Sequence, residues 1–194
     1  MGNEQAIVVD GEPMVHRITV DEFLALDEGG FFDDIGRVEL IEGEIFEMAP
    51  LHRPHARALL HLTVAISNAV DTVEGIEALS PVSAELDRHS LPEADVVVAN
   101  RVPDEDERFV TPATIRILIE VSASSLRHDL GRKLRLYARA GVPEYWVADV
   151  ADRKIIRFHA PEGEGYRERD EFDFGATIPS ATIDGLSVDT ARLG

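Results

Sequence analysis

The feature that most constrains this chain is one acid set into an apolar run, Ile115-Arg116-Ile117-Leu118-Ile119-Glu120-Val121, with a helix-forming segment close behind it. Four of the five residues before Glu120 are aliphatic, the pattern of a strand buried on both faces in the middle of a sheet. A carboxylate at the end of such a strand is costly unless something partners it. The next segment offers a partner. Ser124 and Ser125 give a helix start, and Gly141 and Pro143 give a stop. At ~100° per residue, Leu126, Leu130, Leu134 and Tyr137 share the predicted inward arc, and His128, Arg132, Arg135 and Arg139 the opposite one. Lys133 falls at the edge of the apolar arc. Only two of the chain's 19 basic residues are lysines, Lys133 and Lys154. A lysine where the helix turns inward therefore reads as a choice for a compact ammonium with a movable pKa, which guanidinium cannot supply.

Two further acids stand at comparable places. Asp95 opens the run Asp95-Val96-Val97-Val98-Ala99, and Glu39 lies between apolar neighbours in Val38-Glu39-Leu40-Ile41-Glu42-Gly43-Glu44-Ile45-Phe46. The second run predicts two short strands around a Glu42-Gly43 turn. Between these motifs, the pattern predicts a helix over Val20 to Leu26 capped by Thr19, and a second over His55 to Val73 with His55, Leu59, Leu62, Ile66, Ala69, Val70 and Val73 inward. Val82 to Leu86 and Ala94 to Ala99 read as a hairpin-like pair of strands. Glu144 to Asp149 and Lys154 to His159 read as another around Ala151-Asp152, with Phe172 to Phe174 and Ile183 to Val188 as edge pieces. The expected fold class is α/β, a mixed sheet flanked by helices with an N-terminal helix and β-hairpin.

These residues, in this order, resemble the Uma-type restriction-endonuclease family, formerly a domain of unknown function, within the PD-(D/E)xK nuclease superfamily. The resemblance runs from Val20-Asp21-Glu22-Phe23-Leu24 through Val38 to Glu44, Met48-Ala49-Pro50, Asp95 to Val98 and Ile119 to Ser122. It is densest in Asp129-Leu130-Gly131-Arg132-Lys133, in Tyr137 to Trp146, and at Asp149. It implies a restriction-endonuclease-like sheet, with Asp95 and Glu120 as metal-binding acids and Glu39 as an additional acid. It further implies hydrolysis of nucleic acid, DNA being the expected substrate, with Mg²⁺ or Mn²⁺ as cofactor and water or the Val121 carbonyl completing the metal's shell. The superfamily's usual lysine position, two residues after the second acid, is Ser122 here, so the resemblance assigns that role to Lys133. Two other departures are Ala94 in place of proline and Ser124-Ser125-Leu126 in place of Pro-Ser-Thr.

Composition bounds the rest. At 194 residues and 44% hydrophobic content the chain is expected to form one domain, with residues 1–13 as a loose tail. No apolar run approaches the ~20 residues of a bilayer span and no export signal is evident, so a cytoplasmic location without membrane partners is expected. The absence of cysteine leaves carboxylate, histidine, carbonyl or water as metal donors. The formal charge of −18 opposes nucleic-acid binding, which draws most of its affinity from phosphate neutralisation. Its force depends on placement, because acids cluster in Asp104-Glu105-Asp106-Glu107 and near the C-terminus, while His128, Arg132, Arg135 and Arg139 form a basic stripe and Arg53, His55 and Arg57 a smaller one. A nuclease-fold module without turnover, binding nucleic acid or serving regulation, is the competing reading, and a metal hydrolase acting on a small phosphorylated molecule is a third. Each site residue also has a structural account: Asp95 as a turn acid paired with arginine, Glu120 and Lys133 as a buried salt bridge, Lys133 as a snorkelling side chain, and Glu39 as a solvent-facing strand acid. His55 could simply pack at a helix start, and Tyr137 and Trp146 read as core. The residues do not choose between DNA and RNA, or between monomer and homodimer.

Overall fold

The structure, a computed structural model, describes residues 14–103 and 108–194; the expected tail over residues 1–13 and the acidic run Asp104 to Glu107 lie outside the described residues. The chain starts with α1 (Val20–Glu28), opened by a capping box in which the Thr19 side chain accepts from the Glu22 amide and the Glu22 carboxylate accepts from the Thr19 amide. The hairpin β1 (Val38–Ile41) and β2 (Glu44–Glu47) follows, in register Val38 to Glu47. Glu42 and Gly43 both take positive φ at its turn, and a Cβ on Gly43 would meet Arg17 at 2.5 Å, so glycine is required there. Helix α2 (Arg53–Val70) begins with proline in its first turn and buries His55, Ala58, Leu62, Ile66, Ala69 and Val70.

Among the described residues the central sheet has six strands. In chain order they are β3 (Ile76–Leu79), β6 (Val96–Asn100), β7 (Ile115–Ser122), β8 (Glu144–Asp149), β9 (Lys154–Glu162) and β10 (Gly165–Asp173). They lie side by side in the order β10-β9-β8-β7-β6-β3, with β7 and β8 parallel and every other pair antiparallel. Shorter pairs flank this sheet: β4 (Val82–Ser83) with β5 (Glu93–Ala94), and β11 (Thr177–Pro179) with β12 (Ser187–Asp189).

Alternation along the middle strands divides the core in two. Val96, Val98, Ile117, Ile119, Val121, Trp146 and Ala148 pack with α2 and the β11–β12 segment. Val97, Leu118, Tyr145 and Val147 face the opposite way, against the helix that follows β7. Period-two geometry puts Glu120 on that second face with Leu118.

The strand pair expected over Val82 to Leu86 and Ala94 to Ala99 divides differently. Val82–Ser83 pairs with Glu93–Ala94, while β6 pairs with β3, a strand whose mixed sequence Ile76-Glu77-Ala78-Leu79 gives little apolar signal. Asp95 occupies the joint between β5 and β6, held there by the Ser80 hydroxyl donating at 2.7 Å to its carbonyl. The helix after β7 also differs from a plain α-helix. It runs as α3 (Leu126–His128), a π-turn (Asp129–Lys133) and α4 (Leu134–Arg139), and it buries Asp129, Lys133, Leu136, Tyr137 and Ala138, with the leucines of the expected arc packed against the core at its margin. Leu126, Leu130 and Leu134 are only half-buried.

Candidate active site

At the C-terminal end of β7 the sheet opens into a cavity of about 260 Å³, whose polar wall includes Glu39, His55, Asp95, Glu120, His128 and Lys133. All four acid and lysine candidates from the sequence are therefore brought together, with Val121 beside them. They arrive from four elements: Glu39 from β1, Asp95 from the β5–β6 joint, Glu120 from β7 and Lys133 from the π-turn.

Lys133 is the centre of the arrangement. Its Nζ lies 2.9 Å from Glu39 Oε2 and 3.1 Å from Glu120 Oε1, and it donates to the Glu93 carbonyl at 3.3 Å. It is 3% exposed, so it is no snorkelling residue at a helix edge. The Tyr137 hydroxyl donates at 2.6 Å to the same Glu120 oxygen. Burial alone would push the Lys133 ammonium down, but the charges of Glu120 and Glu39 outweigh it and hold the group protonated. Glu39 is driven up by burial and pulled further down by His128 and Lys133, so it stays ionised. Glu120 goes the other way. Its burial raises its pKa well above the ordinary glutamate range despite Lys133, and the nearby charge of Asp95 adds to the rise. The two directions are compatible, because one ammonium between two carboxylates balances one of them.

Asp95 accepts from the Val121 amide at 2.7 Å through Oδ2, and His55 Nε2 lies 3.4 Å from the same oxygen. His55 therefore belongs to the site and not to a surface stripe; its Nδ1 is buried with no hydrogen-bond partner among the described residues, and His128 Nε2, likewise buried beyond hydrogen-bond reach of any, stands 3.7 Å from Glu39 Oε1 as an ion-pair neighbour. Asp129, next to this wall, accepts from the hydroxyls of Ser122 and Ser125. Sequence reasoning assigned Tyr137 to the core and gave Asp129 no role; Tyr137's spacing of four from Lys133 was the available sign.

The donor set suits a hard divalent cation. The protein contacts of Asp95 and Glu120 each fall on one oxygen, Oδ2 and Oε1, which leaves Oδ1 and Oε2 without a protein donor among the described residues. Glu39 is engaged instead by Lys133, His128 and, at 3.4 Å, the Glu93 amide. Among the described residues no group of three or more histidine and acidic side chains is gathered tightly enough to hold an ion alone. Two carboxylates with a main-chain carbonyl and water remain, the kind of shell Mg²⁺ accepts because it keeps several waters.

A family model named Uma2 and described as "Putative restriction endonuclease" matches residues 20–191, a span that includes every residue of this wall. The chain belongs to the Uma2 family. Its fold is similar to that of a crystal structure titled as a "putative nuclease belonging to DUF820" from Anabaena variabilis ATCC 29413. The two share 19% identity at a TM-score of 0.67, covering 91% of this chain and 97% of that one. That likeness supports the mixed α/β fold, a central mixed sheet flanked by helices with an N-terminal helix and hairpin. A search of curated proteins finds no match. No helix among the described residues of this Uma2 member is long and apolar enough to cross a membrane.

Proposed function

We propose that this Uma2 member works as one restriction-endonuclease-like domain that hydrolyses phosphodiester bonds of nucleic acid, with DNA as the expected substrate and Mg²⁺ or Mn²⁺ as cofactor. The observation that carries the reading is the division of labour around Lys133, which neutralises Glu39 and leaves Glu120 and Asp95 as two acids on one cavity with a free oxygen each. Asp95, Glu120 and the Val121 carbonyl would hold the cation, and bound there it supplies Lewis-acid polarisation of the phosphate and a water of lowered pKa. Lys133 presents a fixed positive charge where negative charge grows on the phosphate oxygens, already oriented by Glu39, Glu120 and the Glu93 carbonyl. Tyr137 holds the Glu120 carboxylate in one rotamer. His55 holds Asp95 from the α2 side. Glu39 serves this reading mainly by orienting Lys133, and direct ligation through it would require release of that pair.

The experiment is cleavage of supercoiled plasmid, linear duplex and single-stranded RNA in the presence of Mn²⁺, with calorimetric titration of the ion. Asp95→Ala and Glu120→Ala should each weaken ion binding strongly and abolish cleavage. Unchanged binding in both variants removes the site, and cleavage that persists in Glu120→Ala belongs to a contaminant. The reading of a module without turnover draws on one observation, the engagement of Arg132 by Glu44 and of Arg139 by Glu42 and Glu164, which neutralises two arginines of the expected basic stripe. Ion binding without cleavage of any substrate would favour it.

A further inference from the structure

The turn that delivers Lys133 is built in an unusual way. Three residues four apart, Asp129, Lys133 and Tyr137, all reach the same wall: Asp129 contacts Ser122, and Lys133 and Tyr137 both contact Glu120. In a regular α-helix, residues four apart drift by ~40°, so the eight positions from Asp129 to Tyr137 would fan out by roughly 80°. The π-turn over Asp129–Lys133 removes much of that drift, because with more residues per turn its step from Asp129 to Lys133 falls short of a full turn, and this offsets the α-helical step from Lys133 to Tyr137, which overshoots one.

The π-turn is fastened at its first residue. Asp129 is 3% exposed, and its Oδ2 accepts from Ser122 Oγ at 2.5 Å and from Ser125 Oγ at 2.6 Å. Its carbonyl accepts from the Tyr145 hydroxyl at 3.1 Å, a residue of the neighbouring strand β8. Ser122 ends β7 and Ser125 stands immediately before α3, so one carboxylate oxygen ties the end of the Glu120 strand to the start of the Lys133 helix. Gly131 inside the turn has open space around the position of a Cβ, so the bulge is not forced by crowding there.

We propose that Asp129 is a positioning residue for Lys133: the hydroxyls of Ser122 and Ser125 clamp its carboxylate, and the π-turn fixed by that clamp sets the ammonium against Glu120. Ser122 occupies the place two residues after Glu120, and in this chain it serves the lysine through Asp129. The inference rests on the proposed nuclease reading for its kinetic consequence and on geometry alone for the position of the ammonium.

The test uses the full chain with Ser122→Ala/Ser125→Ala, which removes both donors and little volume, alongside Asp129→Asn, whose amide oxygen can still accept them. Two properties are read: the NMR signal of the Lys133 ammonium, visible only while the group is sheltered and bonded, and steady-state cleavage with Mn²⁺. The double serine variant should lose or shift the ammonium signal and drop in kcat on the order of 10²-fold, the cost of a misplaced catalytic group, with KM little changed. Asp129→Asn should keep more of both. Glu74→Gln, made at an exposed position outside the cavity wall, should change neither. An unshifted ammonium signal in the folded double variant overturns the inference whether or not the wild type cleaves. Absence of wild-type cleavage overturns the nuclease reading alone, and the signal then still decides the positioning role. Equal loss of kcat and rise of KM with an intact signal would mean that the clamp serves substrate binding, and would also overturn it.

Discussion

Replacing Lys133 by methionine keeps the stem and removes the ammonium, and the structure sets the size of the result. Glu39 and Glu120 are each 4% exposed and share that one cation at 2.9 and 3.1 Å. Removing one partner of a buried ion pair leaves an uncompensated charge, which costs about 3–5 kcal/mol. For a chain of this size each kcal/mol moves Tm by ~2–4 °C, so the variant should melt about 6–20 °C below wild type near pH 7. The sign of its pH dependence follows from the same charges. In the wild type the Glu39 pKa is lowered, so its contribution is present above the ordinary glutamate range and is lost as pH falls through the lowered value. In Lys133→Met the ammonium's downward pull on both acids is gone, while His128 still pulls on Glu39 and Tyr137 on Glu120, so both folded pKa values rise relative to wild type and that of Glu120, already raised by burial, rises further. The added penalty is present above the unfolded pKa, near 4.3, and fades as the pH falls and the carboxyls take up protons. The two melting curves should therefore converge between neutral pH and about pH 4. Adding Glu39→Gln to Lys133→Met should recover part of the loss at pH 7. Scanning calorimetry at several pH values checks all three statements, and a Lys133→Met protein that melts with wild type at pH 7 would falsify the account of a stressed pair of acids sharing one cation.

Lys133→Arg should fold and bind Mn²⁺ yet cleave on the order of 10²-fold more slowly, since a planar guanidinium does not fit between Glu39 and Glu120 as the ammonium does; full activity would leave Asp95 and Glu120 as the supported residues. Tyr137→Phe removes the hydroxyl donated to Glu120 and should lower stability by about 1–3 kcal/mol in urea titration. Glu144→Ala should cost more than about 3 kcal/mol, because this fully buried acid accepts from Trp146, Ser180, Ala181 and Thr182 and its loss orphans amides of the segment before β12. Arg132→Ala, by contrast, breaks pairs on a half-exposed rim and should shift Tm by less than the error of a melt.

Where the sequence spoke plainly, it did so through periodicity and turn chemistry. The apolar run ending in Glu120 became the central strand, the Thr19 cap opened α1, and the Glu42-Gly43 turn closed the first hairpin. Strand β3 was missed because only Ile76 of its four residues is buried and its acid and alanine dilute the pattern. The apolar arc of the helix after β7 does face the core, with Tyr137 fully buried and Leu126, Leu130 and Leu134 packed at its margin; ideal rotation does not reveal that the π-turn draws Asp129 and Lys133 fully inward. The extent of β10 was also underestimated, since its residues Gly165 to Asp173 are mostly exposed and charged, and an edge strand of that kind is held by backbone pairing to β9 rather than by apolar alternation. At the site, the acids and the lysine were legible because charge inside an apolar pattern stands out. Asp129, His55 and Tyr137 were not, because a serine-bonded aspartate, a helix-start histidine and a core tyrosine look ordinary until their partners are in view.

The chain's acidity takes a specific form in the structure. Arg132 and Arg139 of the expected stripe, and Arg37 outside it, are turned back onto Glu42, Glu44, Glu93 and Glu164, so two of the stripe's arginines are occupied by the protein's own carboxylates. Exposed pairs of this kind are worth roughly 0–1 kcal/mol each, which is small enough for an incoming phosphate to displace a glutamate. The arginines are thus available to a substrate at modest cost, but the displaced acids stay close by and oppose it. Few phosphates can then be neutralised along the rim, and the salt dependence of binding, about −0.9 per phosphate on duplex DNA, should be shallow. On the proposed reading, affinity must be concentrated in the cavity itself, where Lys133 is fixed, where Asp95 would oppose an anion, and where Glu120, whose pKa burial raises, would join it on giving up its proton to a bound cation. On that reading the metal would be a condition for binding as much as for chemistry.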